Sequence, residues 1–225
     1  LVSMVNPPVP VYLYRAMMDE CLLDARERPN TERRTGRMRQ GTRDAAILTF
    51  GYALGLKSGE LRRLKSEDYI SSTRSEKGDP LIKLPDRREG SRQLPLVGHP
   101  KEIARLWHDK RHGHKQHFFY PMSKRGRTCG EELTQEGLHK IVRRRGNQAR
   151  GPAPSPQKLR SSFKTLVREM GTSDAIVRDL MGLRSRRTTE RDDETANQKM
   201  REALKSVAHK TAPDGRIPRP SGAFL

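Results

Sequence analysis

Residues 156 to 192, PQKLRSSFKTLVREMGTSDAIVRDLMGLRSRRTTERD, constrain this chain more than any other stretch. Ser155 ahead of Pro156 reads as a helix cap followed by proline at a first helical position, and Leu159, Phe163, Leu166, Val167 and Met170 recur at helical spacing. Gly171 ends that helix. Ser173 opens a second, shorter one with Ile176, Val177 and Leu180 on its apolar face, and Gly182 stops it. A basic turn carrying Arg184, Arg186 and Arg187 follows, then a charged exit. Arg160 leaves the first helix early.

The rest of the chain is placed relative to this stretch. Residues 1–10, with three prolines, read as an extended lead-in, and residues 12–26 as a helix presenting Leu13, Met17 and Cys21 together. The basic segment from Glu27 to Gly41 reads as a loop, either a solvated connection or a phosphate-facing arm. Thr42 then caps a helix lined by Ala46, Ile47, Phe50 and Leu54, and a break at Gly55 to Gly59 leads to a helix with Leu61 and Leu64. Alternating apolar and polar positions in 81–85 and 92–97 flank DRREGS and predict a hairpin. A helix from Pro100 to Lys110 buries Ile103, Leu106 and Trp107, and another over 134–145 buries Leu138, Ile141 and Val142 with Arg143, Arg144 and Arg145 behind them. Ala196, Met200, Ala203, Leu204 and Val207 mark a last amphipathic helix, and residues 210–225 read as a mobile tail rich in proline and glycine.

Residues 156–192 resemble, without gaps, the second signature box of the tyrosine recombinases, the phage-integrase family, which runs roughly HxLRHTFAT, then G, LGH and TTxRY. Its arginine falls on Arg160, while the histidines fall on Gln157 and Ser161, the later His or Trp on Leu183, and the nucleophilic tyrosine on Asp192. Residues 43–70 resemble the first box, a helix ending in GLRxxEL; Glu60, Leu61, Leu64 and Asp68 match, and Lys57 stands in the arginine slot. Lysine keeps the charge but lacks the planar fork that grips two phosphate oxygens. The family hairpin supplies a lysine as general acid. Here Arg87, Arg88 and Arg92 surround the tip, with Arg88 in that slot, and an arginine donates hydrogen bonds well and protons poorly. The resemblance covers residues 11–209. It implies one catalytic-type domain, mainly α with a small antiparallel β-sheet or hairpin, and a DNA-contacting helix at 134–145.

Charge points the same way. Lys and Arg number 46 against 27 Asp and Glu, a net charge of +19, which favours a polyanionic partner. The nearly apolar run Ala45 to Leu56 is too short for a membrane span of about 20 residues, and no signal peptide is expected. Two cysteines, Cys21 and Cys129, give no disulfide framework, and the expected compartment is the reducing cytoplasm, at the nucleoid. The histidines His108, His112, His114 and His117 match no standard zinc spacing, so neither a metal nor another cofactor is expected.

The partner expected is therefore duplex DNA, contacted by Lys57, Arg87, Arg88, Arg92, Arg143, Arg144, Arg145, Arg160, Arg184, Arg186 and Arg187. Self-association through the C-terminal tail is a further expectation. No tyrosine follows Tyr120, so the expected function is a DNA-binding protein on a catalytically degenerate recombinase scaffold: accessory, regulatory, or a mobile-element remnant. The alternative is an active recombinase using an unusual nucleophile, such as Ser185, Thr188 or Thr189, or a tyrosine supplied in trans. RNA binding through the same charge is a third reading.

Overall fold

The computed structural model describes residues 7–27, 31–72, 78–86, 90–111, 116–183 and 193–218. Along these run α1 (Val11–Ala25), α2 (Glu32–Tyr52), α3 (Ser58–Arg63), β1 (Tyr69–Ile70), β2 (Leu81–Asp86), β3 (Gly90–Pro95), α4 (His99–Lys110), α5 (Gln135–Gln148), α6 (Pro156–Glu169), α7 (Asp174–Leu180) and α8 (Asp193–Thr211). The strands form one antiparallel sheet in the order β1-β2-β3. The mainly helical class and the hairpin follow the sequence reading; the two-residue β1 carries too little pattern to be read from sequence.

α2 is the hub, with α1, α4, α5 and α6 all packed on it. Ala45, Ala46, Ile47, Leu48 and Phe50 have no exposed surface, so this part of the helix is enclosed on every side, as expected of a helix at the centre of a core. Below it Phe50, Phe118 and Phe119 meet at ring-centroid distances of 5.0 to 6.0 Å, and the Trp107 indole N–H donates to the Phe118 carbonyl at 2.9 Å. Burying such a side chain stabilises the fold by about 1.5–3 kcal/mol. α6 begins as read, with Ser155 Oγ accepting from the Lys158 N–H at 3.2 Å, and Gly171 and Gly182 take positive φ where the two helices end.

Two departures from the sequence reading have physical causes. First, much of the expected loop 27–41 is helix: α2 begins at Glu32, capped by Thr31, whose side chain accepts from the Arg34 N–H. Thr42 is not a cap but a buried mid-helix residue donating to the Met38 carbonyl at 2.8 Å. This half of α2 packs by backbone approach at glycines rather than by an apolar stripe. A Cβ on Gly41 would lie 2.5 Å from the Cys21 carbonyl oxygen, and one on Gly36 would lie 2.5 Å from the Lys124 carbonyl oxygen. Gly41→Ala should therefore destabilise the protein by about 1–3 kcal/mol in chemical denaturation, as overpacking does, although alanine is the better helix former by about 1 kcal/mol. A stabilised variant would mean that α1 and α2 part easily.

Second, the tail expected to be mobile is laid along α1 as far as Pro218. The Gly215 N–H donates to Asp19 Oδ1 at 2.8 Å, Arg26 Nε to the Arg216 carbonyl at 3.0 Å, and Arg15 to the Lys210 carbonyl at 3.0 Å, while Ile217 rests on the core. Residues 219–225 lie outside the described residues. The lead-in is docked where it is described, from residue 7: the Val9 N–H donates to Ser162 Oγ at 2.7 Å, and its carbonyl accepts from the Tyr52 hydroxyl at 2.8 Å.

Candidate nucleic-acid interface

Two cationic regions arise from these elements. One is the outer face of α5. Thr134 caps this helix by accepting from the Gly137 N–H, and Leu138, Ile141 and Val142 face inward. The opposite side brings Lys140, Arg143, Arg144, Asn147 and Gln148 around a shallow open depression. Residues 140, 143, 144 and 147 make one helical stripe that combines cations with an amide.

Arg145 is the exception among the arginines expected to contact DNA here. It stands at the position that continues the inward stripe of Leu138, Ile141 and Val142, and 1% of its surface is exposed. Its guanidinium donates to Asp44 Oδ2 at 2.9 Å through Nε and to Asp24 Oδ2 at 2.6 Å through Nη1. Asp44, with no exposed surface, also accepts from Arg43 at 2.8 Å and from Arg144. Arg145 thus belongs to the buried ion network that ties α5 to α1 and α2, and only Arg143 and Arg144 of the three are on the surface.

The second region lies where α3, β3, α6 and the end of α7 meet. Gly55 takes a positive φ of 67° at the turn after α2, beneath the ring of Phe163. Arg160, on the second turn of α6, donates to the carbonyls of Gly55 and, at 2.7 Å, Met181, which fixes it between the two turns. β3 carries Arg92 opposite Leu84, on the face shared by Ile82 and Leu94, so strand alternation turns this arginine inward. Glu60 Oε2 lies between them, 3.3 Å from Arg92 Nη2 and 3.8 Å from Arg160 Nη1, and accepts the Lys57 backbone N–H at 2.6 Å. Burial pulls the Arg160 guanidinium down to about 10, Glu60 acting against the shift and Arg92 adding to it.

The other expected site residues divide by position. Lys57 and Gln157 are exposed, at the starts of α3 and α6, and Leu183 is 44% exposed just after α7. Arg87, Arg88, Arg184, Arg186, Arg187 and Asp192, like Ser185, Thr188 and Thr189, lie outside the described residues. Asp68, matched to the first box, accepts the Lys65 N–H at 2.7 Å and caps a short 3-10 turn. The sequence reading did not single out Lys140, Asn147 and Gln148; the outward period of α5, complementary to its apolar one, was the signal that could have found them. His108 packs on Tyr69 with 4.8 Å between ring centroids, His112 and His114 lie outside the described residues, and among the described residues no cluster of His, Cys, Asp or Glu could hold a metal.

Four of the five tyrosines lie in the core. Tyr14, Tyr52, Tyr69 and Tyr120 are buried, and Tyr12 is exposed on α1. Burial raises the hydroxyls of Tyr14 and Tyr52 well above the usual phenol range and that of Tyr69 to about 12, opposite to what activation of a nucleophile requires.

Helices around a small antiparallel sheet, with Arg160 held between the two boxes, define the fold of a tyrosine recombinase catalytic domain. The phage integrase family matches residues 25–198, and the chain belongs to it. Among solved structures, the chain is similar to XerA recombinase, with a TM-score of 0.59 and 17% identity over 95% of this chain and 68% of that one. It is similar to the integrase from mycobacterium phage Brujita, with a TM-score of 0.58 and 14% identity over 94% of this chain and 65% of that one. The XerH site-specific recombinase bound to difH substrate in a pre-cleavage complex follows, with a TM-score of 0.52 and 19% identity over 86% of this chain and 47% of that one. The chain thus spans about half to two thirds of the length of these proteins. No curated protein matches it. Among the described residues no helix is long and apolar enough to cross a membrane.

Proposed function

We propose that this chain binds duplex DNA on its recombinase scaffold and does not itself break strands, acting as an accessory or regulatory protein or as the remnant of a mobile element. The α5 face carries this reading: Lys140, Arg143 and Arg144 stand exposed in one stripe beside Asn147, over an open depression, in a chain of net charge +19. The cations hold phosphates and set register, and the amides suit base edges. The XerH neighbour, seen with difH substrate bound, supports the same use of the fold. The loss of cleavage is read from Asp192 in the nucleophile slot and from the confinement of every tyrosine to the part of the chain before residue 121.

The test is a binding titration with a duplex at several salt concentrations. With about six phosphates contacted, affinity should fall roughly a thousandfold between 50 and 200 mM salt, through release of counterions. A flat response to salt would defeat the proposal, and preference for a folded RNA over a duplex of equal length would redirect it. A second reading, an active recombinase with another nucleophile, draws on the Arg92 and Arg160 guanidiniums set around one carboxylate, since phosphoryl transfer needs such cations.

A further inference from the structure

We propose that the α5 stripe continues into a second cationic surface, made by the first half of α2 and the turn at residues 123–127, which holds further backbone phosphates of the same duplex. The inference rests on the duplex-binding reading and extends its footprint. Gln40 joins the two surfaces. Its buried side chain accepts from Arg144 at 3.4 Å and donates to the Ser123 carbonyl, so the stripe and the turn share one amide. Along α2, residues 33, 37, 40 and 44 follow one another at helical spacing. Arg144 rests on the inner two, Gln40 and Asp44, and the outer two, Arg33 and Arg37, carry the line onward as exposed cations. From 33 to 44 the helix rises about 16 Å, about the length of five base pairs.

The turn is held to the helix by backbone contact. The Ser123 N–H donates to the Arg127 carbonyl at 2.8 Å, the Gly126 N–H donates to the Ser123 carbonyl at 2.9 Å, and Met122 pairs with Thr128. Gly126 takes a positive φ of 76° and meets Gly36 directly. A Cβ on Gly126 would lie 2.7 Å from the Gly36 Cα, and one on Gly36 would lie 2.5 Å from the Lys124 carbonyl oxygen. Two glycines thus seat the turn on α2, with Lys124, Arg125 and Arg127 exposed around them. The carboxylates beside these cations are wet. Glu32 lies 2.8 Å from Arg127 and 4.0 Å from Arg125, all three between 62% and 69% exposed, and Arg37 pairs with Glu27 at 2.9 Å from a half-exposed position. Ion pairs so exposed hold weakly and yield to a polyanion. Cations fixed on a helix and on a closed turn keep their spacing, as phosphates along a strand do, so the surface suits an extended backbone better than a lone anion.

Salt-resolved titrations on one duplex test this, with thermal unfolding as the check on folding. A variant combining Lys124→Gln, Arg125→Gln and Arg127→Gln should bind less tightly and lose about three phosphates from its salt slope. With about six phosphates held by the parent, affinity falls roughly a thousandfold between 50 and 200 mM salt, and the variant's fall should be roughly fortyfold. A control with the same loss of charge, Lys199→Gln, Lys205→Gln and Lys210→Gln at exposed positions of α8, should keep the parent's slope. Gly36→Ala, which keeps every charge but forces the turn away from α2, should lose several-fold in affinity. A folded turn variant with the parent's slope would overturn the second surface while leaving duplex binding in place. So would an α8 control that loses as much as the turn variant, since net charge alone would then account for binding. Folded Gly36→Ala protein that binds like the parent overturns it too; if that variant fails to fold, the turn variant and its α8 control decide. A parent protein that fails to bind the duplex would instead overturn the underlying reading.

Discussion

Asp44→Ala should cost the protein about 3–5 kcal/mol of stability, the range for removing one partner from a buried ion pair. Arg43 and Arg145, 3% and 1% exposed, would keep their charges without the carboxylate that both of them contact, and Asp24 would be left to balance Arg145 from the edge of the network. Domains of this kind are stable by only about 5–15 kcal/mol, so the variant should unfold at a much lower urea concentration. Burial by itself would raise the Asp44 carboxyl, but Arg43, Arg145 and Arg144 outweigh it and hold it near about 2, against an ordinary 3.8. A carboxyl depressed on folding contributes stability that is fully present above the unfolded value and is lost as pH falls through the folded one. As pH falls from about 5 to about 1 the parent should therefore lose about 2 kcal/mol from this group, and Asp44→Asn should be flatter over the same window. Urea midpoints for Asp44→Ala within about 1 kcal/mol of the parent would show that the network is dispensable. Because Arg144 also rests on Asp44, folded Asp44→Asn protein should bind duplex less tightly, through loosening of the α5 stripe.

The same helix illustrates how far the sequence could be read. Three consecutive arginines look like one basic patch, yet successive residues on an α-helix point about 100° apart, so 143, 144 and 145 cannot share a face. Position 145 continues the 138, 141, 142 stripe and was legible as inward. Its partners Asp24 and Asp44 were not, because nothing local joins residues so distant along the chain. The hairpin was legible through its alternation, which also turns Arg92 inward with Leu94 and Leu96; grouping Arg92 with the tip arginines hid this. α6 and α7 were legible through cap, period and glycine stop, whereas the first half of α2 was not, since glycines set against backbone leave no apolar signature. The tail was misread from composition alone. Its hydrogen bonds to Asp19 and Arg26 on α1 decide its course, and proline and glycine content says nothing of them.

The unmodified protein should neither cleave nor join DNA, and a nicked suicide substrate that traps covalent complexes should show none. Several losses fall on one transition state. In the slots that the resemblance to the two boxes assigns, Asp192 would stand for the nucleophile and bring negative charge toward a phosphate, Gln157 and Leu183 would stand for ring donors, Lys57 for a forked cation, and Arg88 for a proton donor. Groups that act as a unit do not fail additively: loss of one key member can cost on the order of a millionfold, about as much as loss of all. Asp192→Tyr alone should accordingly stay inactive, because the new phenol, with an ordinary pKa of about 10, would still lack an acid for the leaving oxygen and ring donors for the phosphate. Adding Lys57→Arg, Gln157→His and Leu183→His restores those donors around Arg160, and trace covalent complex is expected from the fourfold variant. A covalent complex with the unmodified protein would overturn the non-cleaving reading, and the residue attached to DNA would identify the nucleophile. Adduct from Asp192→Tyr alone would mean that the cations and acid present suffice, so that the nucleophile is the one missing part.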